Sequence, residues 1–118
     1  MVSRFVFLVW MASALAGVAV AASAASAQTV GLGLAQTSNC MSCHRVDRKV
    51  VGPGFTAIAE RFAGNAEAVD YLAQRIINGS SGHWGPVPMP RQVHVSEKDA
   101  KTLAQWILSL KEPEVRLE

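Results

Sequence analysis

Cysteine is scarce in this sequence, and the two cysteines that occur, Cys40 and Cys43, are only three positions apart. A disulfide between them would close a trivial loop, which excludes a small fold held together by disulfides. Zinc is disfavoured because His44 is the only further ligand beside them and no second pair follows at finger-like spacing. A thioredoxin-like dithiol would need alternating strands and helices, and no strand pattern is present.

A large excess of charge of one sign is also missing, since 11 Lys and Arg residues stand against 9 Asp and Glu residues. Nucleic-acid binding needs a concentrated basic face, so we expect no such partner. The stretch Arg45-Val46-Asp47-Arg48-Lys49 is typical of a solvated polar loop. The alternative for this stretch is a positive rim that steers an acidic partner.

The stretch Cys40-Met41-Ser42-Cys43-His44 has the pattern of covalent c-type haem attachment. Cysteines three apart lie on the same side of a helical turn, where they can reach the two vinyl groups of one porphyrin. The histidine that follows is carried under the ring, where an imidazole nitrogen can bind the iron. The sequence therefore predicts one covalent haem c attached to Cys40 and Cys43, with His44 as an iron ligand.

The first residues have the layout of a secretory signal peptide. Arg4 supplies a positive charge, residues 5–22 carry none, and Ala25-Ser26-Ala27 is a small-x-small cleavage site. An uncleaved membrane anchor is the alternative, because the apolar run is just long enough to span a bilayer. Since no basic stop-transfer residues follow the run, we expect residues 1–27 to be removed and residues 28–118 to form one domain.

A domain of this size buries only about 60–65% of its unfolded surface, which leaves its stability marginal. A large, flat, apolar prosthetic group would complete the core. We therefore expect the haem-free protein to be largely unfolded.

Four short helices joined by irregular loops are predicted, with no strand and no internal repeat. The first leads from Leu32 into Cys40, although Gly31 and Gly33 lower its helix propensity. If these glycines are helical, another helix can approach them closely. The second helix is predicted over residues 56–62.

The third helix has Asn65 as its N-cap, an apolar stripe of helical period, and Gly79 at its end. Glycines and prolines break residues 80–94 into a long loop, and long loops of this kind usually serve a site. The fourth helix begins at a capping box that starts with Ser96, and Pro113 is predicted to close it.

Methionine supplies the best candidate for the second iron ligand. Without the leader only Met41 and Met89 remain, and Met41 lies inside the attachment turn, where it cannot reach across the ring. Met89 is flanked by two prolines, and a stiffened backbone suits a weak thioether ligand. His83 and His94 compete, but a surface position is expected for each. The predicted axial pair is therefore His44 and Met89.

The stretch from residue 28 onward resembles the small, single-haem class I cytochromes c of bacteria. The resemblance covers nearly all of this stretch in family order and is carried by Cys40-Met41-Ser42-Cys43-His44, Val51-Gly52-Pro53, Gln74-Arg75-Ile76, Gly79-Ser80, Gly82-His83-Trp84-Gly85-Pro86, Pro88-Met89-Pro90 and residues 103–108. It implies an all-α fold wrapped around one covalent haem. It also implies a soluble periplasmic carrier that moves one electron between larger redox proteins.

The resemblance assigns further roles. Pro53 would accept a hydrogen bond from the second nitrogen of His44 and so fix the ring. Arg75 and Trp84 would donate to a buried haem propionate, since a buried carboxylate needs such partners. Trp106 would pack against the first helix.

Several positions depart from the family pattern. Arg91 and Gln92 stand where members often have a second proline and an asparagine that bonds the methionine sulfur. Ala35 lies near the place of an aromatic residue that is often present in the first helix. His83 replaces an apolar neighbour of Trp84, and near a propionate it would make the reduction potential vary between about pH 5 and 8.

We expect an electron-transfer protein rather than an enzyme. The alternatives, a haem-based gas sensor or a small peroxidase, would need the sixth ligand Met89 to be displaced. Sensors of the helical-bundle type usually have the attachment motif near the C-terminus. The expected carrier is a periplasmic monomer of a Gram-negative type bacterium, without stable membrane insertion after cleavage. Its donor would be of the quinol–cytochrome c reductase type, and its acceptor a terminal oxidase, a nitrite reductase or a cytochrome c peroxidase.

Overall fold

The computed structural model describes residues 16–111 of the 118-residue chain. The charged start and most of the apolar run of the predicted signal peptide lie outside the described residues, as does Pro113. Four α-helices are present in the described range: α1 Ala16–Thr37, α2 Phe55–Arg61, α3 Ala68–Asn78 and α4 Glu97–Leu108. A 3-10 turn covers Cys40–Ser42. Residues 16–111 contain no strand, and the all-α prediction is confirmed.

The chain divides after Val30 into two compact units. The described part of the first unit is helical from Ala16, and its side chains over residues 23–30 are exposed. The second unit holds the last turns of α1 and everything that follows. We predicted the first helix only from Leu32 onward, but alanine has the highest helix propensity and the residues before Leu32 are rich in it. No helix within residues 16–111 combines the length and the apolar character that crossing a membrane requires.

The helix α3 begins at Ala68 with Glu67 at its N-cap and no side-chain cap, so the prediction of Asn65 as the N-cap was wrong. The side chain of Asn65 instead accepts a hydrogen bond from the Glu67 amide at 2.9 Å, within the turn that precedes the helix. Gly79 ends the helix with a φ of 82°, a left-handed conformation that suits glycine.

The ends of α4 also follow from side-chain chemistry. The hydroxyl of Ser96 accepts a hydrogen bond from the Asp99 amide at 3.0 Å, as the capping pattern predicted. The helix ends at Leu108, well before Pro113, so the prediction that this proline closes the helix was wrong. Ser109 ends it instead, because its hydroxyl donates to the Trp106 carbonyl and its amide to the Gln105 carbonyl.

The core of the second unit forms where α2 and α3 pack on α4. Its largest buried side chains are Phe55, Ile58, Leu72, Ile76, Leu103, Trp106 and Ile107. Trp106 reaches the last turns of α1, where the buried Gly31 leaves room for its ring. A helical glycine therefore does allow a close approach at position 31, as predicted.

Candidate haem-binding site

The apolar core opens into a cleft of about 270 Å³. Six of the core side chains also line this cleft: Phe55, Ile58, Leu72, Ile76, Leu103 and Ile107. The structure brings all seven predicted site residues to its walls: Cys40, Cys43, His44, Pro53, Arg75, Trp84 and Met89. Residues far apart in the chain therefore meet at one apolar site.

The 3-10 turn presents both cysteines to the cleft. The amides of Cys43 and His44 donate to the Cys40 carbonyl at 3.2 and 3.1 Å, which closes the turn. Arg45 then covers its outer side, because its guanidinium donates to the carbonyls of Met41 and His44. Arg45 is thus held by the attachment turn rather than extended into solvent with the rest of the basic loop.

Both cysteines are half-buried at the wall of the cleft. Desolvation by burial raises the pKa of the Cys40 thiol, and a backbone hydrogen bond opposes this shift. Burial therefore favours an uncharged sulfur at this apolar wall.

His44 is buried, with only 7% of its surface exposed. Its Nδ1 lies 2.7 Å from the Pro53 carbonyl oxygen, which can only accept a hydrogen bond. The proton is therefore on Nδ1, and Nε2 keeps its lone pair. Desolvation lowers the pKa of His44, while the Pro53 contact raises it to a smaller extent, so burial favours the neutral imidazole.

Two neighbours fix the plane of the His44 ring. Phe55 stacks on it with ring centroids 5.0 Å apart and an interplanar angle of 17°. On another side the backbone of Gly52 comes so close that a β-carbon there would lie 2.6 Å from Cε1 of the histidine. The imidazole therefore has little freedom to rotate.

Met89 is held by its backbone. Its amide donates to the Ser80 carbonyl at 2.8 Å and its carbonyl accepts from the Ser80 amide at 3.0 Å, which forms an isolated antiparallel bridge. A β-carbon at Gly79 would lie 2.8 Å from the Met89 carbonyl oxygen, so this approach depends on glycine. The bridge closes the base of the 80–89 loop at the point where the methionine lines the cleft.

Both the side chain and the backbone of Gln92 donate hydrogen bonds to carbonyl groups of the chain. Its side-chain amide donates to the Pro90 carbonyl at 2.8 Å, and its backbone amide donates to the Ile76 carbonyl at 3.1 Å. The residue therefore anchors the chain after the methionine to the end of α3.

A hydrogen-bond contact of His94 links two segments that are far apart in the sequence. Its Nε2 lies 3.0 Å from the carbonyl oxygen of Ser38, just beyond α1. The contact ties the segment before α4 to the segment that leads into the attachment turn.

Arg75 carries a buried polar atom without a partner. Its Nε has no hydrogen-bond acceptor among the described residues, and its Cζ lies 5.5 Å from the ring centroid of Tyr71. A buried N–H of this kind needs an acceptor, and a carboxylate at the cleft wall would supply one.

The cleft fits an iron porphyrin with acidic side arms. Two cysteine sulfurs, an imidazole whose Nδ1 is bonded to Pro53, and a thioether line the cleft. Its walls are apolar, and the buried Nε of Arg75 lacks an acceptor among the described residues. These are the groups that attach, ligate, enclose and neutralise such a cofactor.

Contacts made by four residues at or near the site escaped the sequence interpretation: Gly52, Phe55, Arg61 and Ser80. Gly52 belongs to the family motif, but nothing in the sequence indicated that its backbone contacts His44. The other three contacts join residues that are not neighbours in the sequence. Phe55 stacks on His44, Ser80 forms backbone hydrogen bonds with Met89, and Arg61 donates a hydrogen bond to the 80–89 loop. Only the fold reveals such pairs.

Comparisons with known proteins place the chain in a family. The family model for cytochrome c matches residues 29–111. Cytochrome c-552 of Nitrosomonas europaea is 54% identical over 78 residues, which cover 66% of this chain and 76% of the relative. Cytochrome c-551 of Pseudomonas aeruginosa is 51% identical over 78 residues, covering 66% and 74%.

Solved structures agree with the relatives found by sequence. The crystal structure of wild-type Nitrosomonas europaea cytochrome c552 matches with a TM-score of 0.67 and 52% identity, covering 68% of this chain and 99% of that one. The class 1 cytochrome MtoD of Sideroxydans lithotrophicus matches with a TM-score of 0.58 and 28% identity, covering 70% and 94%. The chain therefore belongs to the cytochrome c family, and it is an electron-transfer protein, not an enzyme, that carries one covalent haem c and serves larger redox partners.

Proposed function

We propose that this carrier works in the periplasm with His44 and Met89 as the axial ligands of its haem iron. Cys40 and Cys43 would form the two thioether bonds. The working domain would be residues 28–118, after removal of residues 1–27 as a signal peptide. When bound, the haem supplies a one-electron iron couple.

The observation that carries the proposal is the fixed imidazole of His44. Because Nδ1 donates to the Pro53 carbonyl, Nε2 is left as the ligating atom, and the ring stays neutral as a metal ligand must. The stacked Phe55 and the close backbone of Gly52 hold its plane. The fold therefore holds this ligand in a single orientation toward the cleft.

The second ligand is supported by the anchoring of Met89. Two hydrogen bonds to Ser80 fix the backbone on each side of the residue, and both Met89 and His44 line the same cleft. A thioether is a weak ligand, and a loop closed at its base restricts the chain around it, so the sulfur loses less entropy when it is held at the iron.

We assign Arg75 and Trp84 to a haem propionate. The unpartnered Nε of Arg75 supports this role, since a propionate oxygen would satisfy it. The half-buried indole of Trp84 lines the same cleft. The positive charge of Arg75 would offset the negative charge of the propionate and so weaken its effect on the iron.

The partners would dock where the cleft reaches the surface. Val51 and Val87 line the cleft and are 47% and 60% exposed. A small apolar rim suits the transient interfaces of redox proteins, which often bury less than about 1,200 Å² in total. We propose a donor of the quinol–cytochrome c reductase type, with a terminal oxidase, a nitrite reductase or a cytochrome c peroxidase as acceptor, and a monomeric carrier.

Replacement of the methionine tests the ligand assignment. Met89→His should lower the reduction potential, because thioether sulfur favours reduced iron more than imidazole does. It should also remove the far-red sulfur–iron charge-transfer band of the oxidised protein. His83→Gln and His94→Gln serve as controls and should keep the band. Retention of the band in Met89→His would contradict the assignment.

Two further measurements test the remaining parts of the proposal. Intact mass and N-terminal sequencing of the exported protein should give a start at Gln28, and a start at Met1 would contradict cleavage. The reduced wild-type protein should bind little carbon monoxide, whereas rapid and complete binding would contradict a permanent sixth ligand.

A further inference from the structure

The tip of the loop that carries Trp84 has few attachments. The Ser80–Met89 bridge closes the base of the loop, but among residues 16–111 the only hydrogen bond to residues 81–88 comes from Arg61. Trp84 packs partly against the core. Hydrophobic contact is not directional, so it does not by itself orient an indole N–H.

Arg61 is the last residue of α2, and its guanidinium contacts this loop twice. Its Cζ lies 4.5 Å from the ring centroid of Trp84, in cation–π geometry. Its Nη1 also donates to the carbonyl of His83 at 2.8 Å. One planar group therefore holds the face of the indole and the backbone beside it, which a flexible ammonium cannot do equally well.

We propose that Arg61 is a positioning residue that orients the Trp84 indole in the wall of the haem cleft. This inference rests on the proposed role of Trp84 as a propionate donor. Arg61 is not among the residues that line the cleft, so it acts through Trp84 rather than by contact with the haem.

The arrangement joins the end of a helix to a loop with few hydrogen bonds of its own. Arg61 is anchored by its place at the end of α2, whose buried residues Phe55 and Ile58 also line the cleft. The contacts of Arg61 therefore link the loop around Trp84 to the end of α2. An indole held in this way can keep its N–H directed at an acceptor, which is the requirement for a stable propionate contact.

The test compares the haem-loaded wild-type protein with the variant Arg61→Gln. The control variant is Lys98→Gln, which removes an exposed cation that does not line the cleft. We expect the indole N–H of Trp84 to exchange with solvent roughly tenfold faster in Arg61→Gln, the size set by one cation–π contact and one hydrogen bond. The reduction potential should also fall, because a less well-neutralised propionate favours oxidised iron. Lys98→Gln should change neither value. An unchanged exchange rate in Arg61→Gln would overturn the proposal.

Two further variants separate positioning from charge. Arg61→Lys keeps the positive charge, and we still expect faster indole exchange; wild-type exchange in this variant would overturn the role of the planar group. In a Trp84→Leu background, Arg61→Gln should no longer shift the potential, and an equal shift in both backgrounds would show that charge acts alone.

The same series distinguishes failure of the inference from failure of the proposed function. If Trp84→Leu alone leaves the potential unchanged, Trp84 does not hold a propionate. Faster indole exchange in Arg61→Gln would in that case still support the positioning contact.

Discussion

Gly31 of α1 lies directly against the indole of Trp106 in α4. A β-carbon at position 31 would fall 2.0 Å from Cγ and 2.3 Å from Cδ1 of the tryptophan, whereas one at Gly33 would meet nothing within 4 Å. Two glycines two residues apart in one helix therefore have different reasons to be glycine. The first allows two helices to pack, and the second has no packing role in the structure.

This difference predicts opposite effects of the same substitution. Gly31→Ala should lower the free energy of unfolding by about 1–3 kcal/mol, because it overpacks a buried contact. Gly33→Ala should raise it by up to about 1 kcal/mol, since alanine has the higher helix propensity. Denaturant unfolding of the haem-loaded protein measures both. Equal effects of the two substitutions would contradict the packing contact.

Gly52 makes a second close approach, and we expect its replacement to disturb an iron ligand. A β-carbon there would lie 2.6 Å from Cε1 and 3.0 Å from Nδ1 of His44, so Gly52→Ala should push the ring away from the Pro53 carbonyl. Loss of that hydrogen bond makes the imidazole a weaker donor to oxidised iron, and the reduction potential should rise.

Voltammetry measures the potential, and Gly33→Ala is the matched control, because it makes the same chemical change without a contact. A potential that is unchanged or lower in Gly52→Ala would argue against this role of the glycine.

The sequence predicted the parts of the fold that depend on local chemistry. Apolar periodicity, the Ser96 cap and the Gly79 end located α3 and α4 because each signal acts within a few residues. The attachment motif led directly to the cleft, since its residues are consecutive. The predicted closing of α4 by Pro113 was wrong because Ser109 satisfies the helix end first.

The rest could not be read from the sequence, because it depends on pairs that are brought together only by folding. Phe55 stacks on His44, and Arg61 stacks on Trp84, across gaps in the chain that no local pattern spans. The Ser80–Met89 bridge is a further case, since two residues do not make a strand signal. The roles of the predicted haem contacts remain predictions, for which these pairs supply the physical support.

The exposed rim of the cleft predicts where a charge will slow electron transfer. Val87 lines the cleft and is 60% exposed, while Val93 is 81% exposed and does not line it. Val87→Lys should lower the second-order rate with a reductase or peroxidase partner roughly tenfold, the cost of about 1.4 kcal/mol at an apolar contact. Val93→Lys adds the same charge elsewhere and should have little effect.

Stopped-flow mixing with the partner measures both rates. Equal slowing by the two substitutions would indicate a general charge effect, and no slowing in Val87→Lys would place the docking surface elsewhere.

The haem is expected to be part of the core, so a chain without it should not fold. Six buried apolar side chains line the cleft, and without the haem they would face water instead of a large apolar ring. Loss of that burial is a large fraction of the stability of a small domain. Cys40→Ala/Cys43→Ala prevents covalent attachment, and we expect this variant to lose most of its far-ultraviolet helical circular dichroism and its cooperative thermal transition. Ser42→Ala in the same turn leaves both thiols in place and should keep them. A cooperative melt of the haem-free variant would show that the apolar walls close on each other without the cofactor.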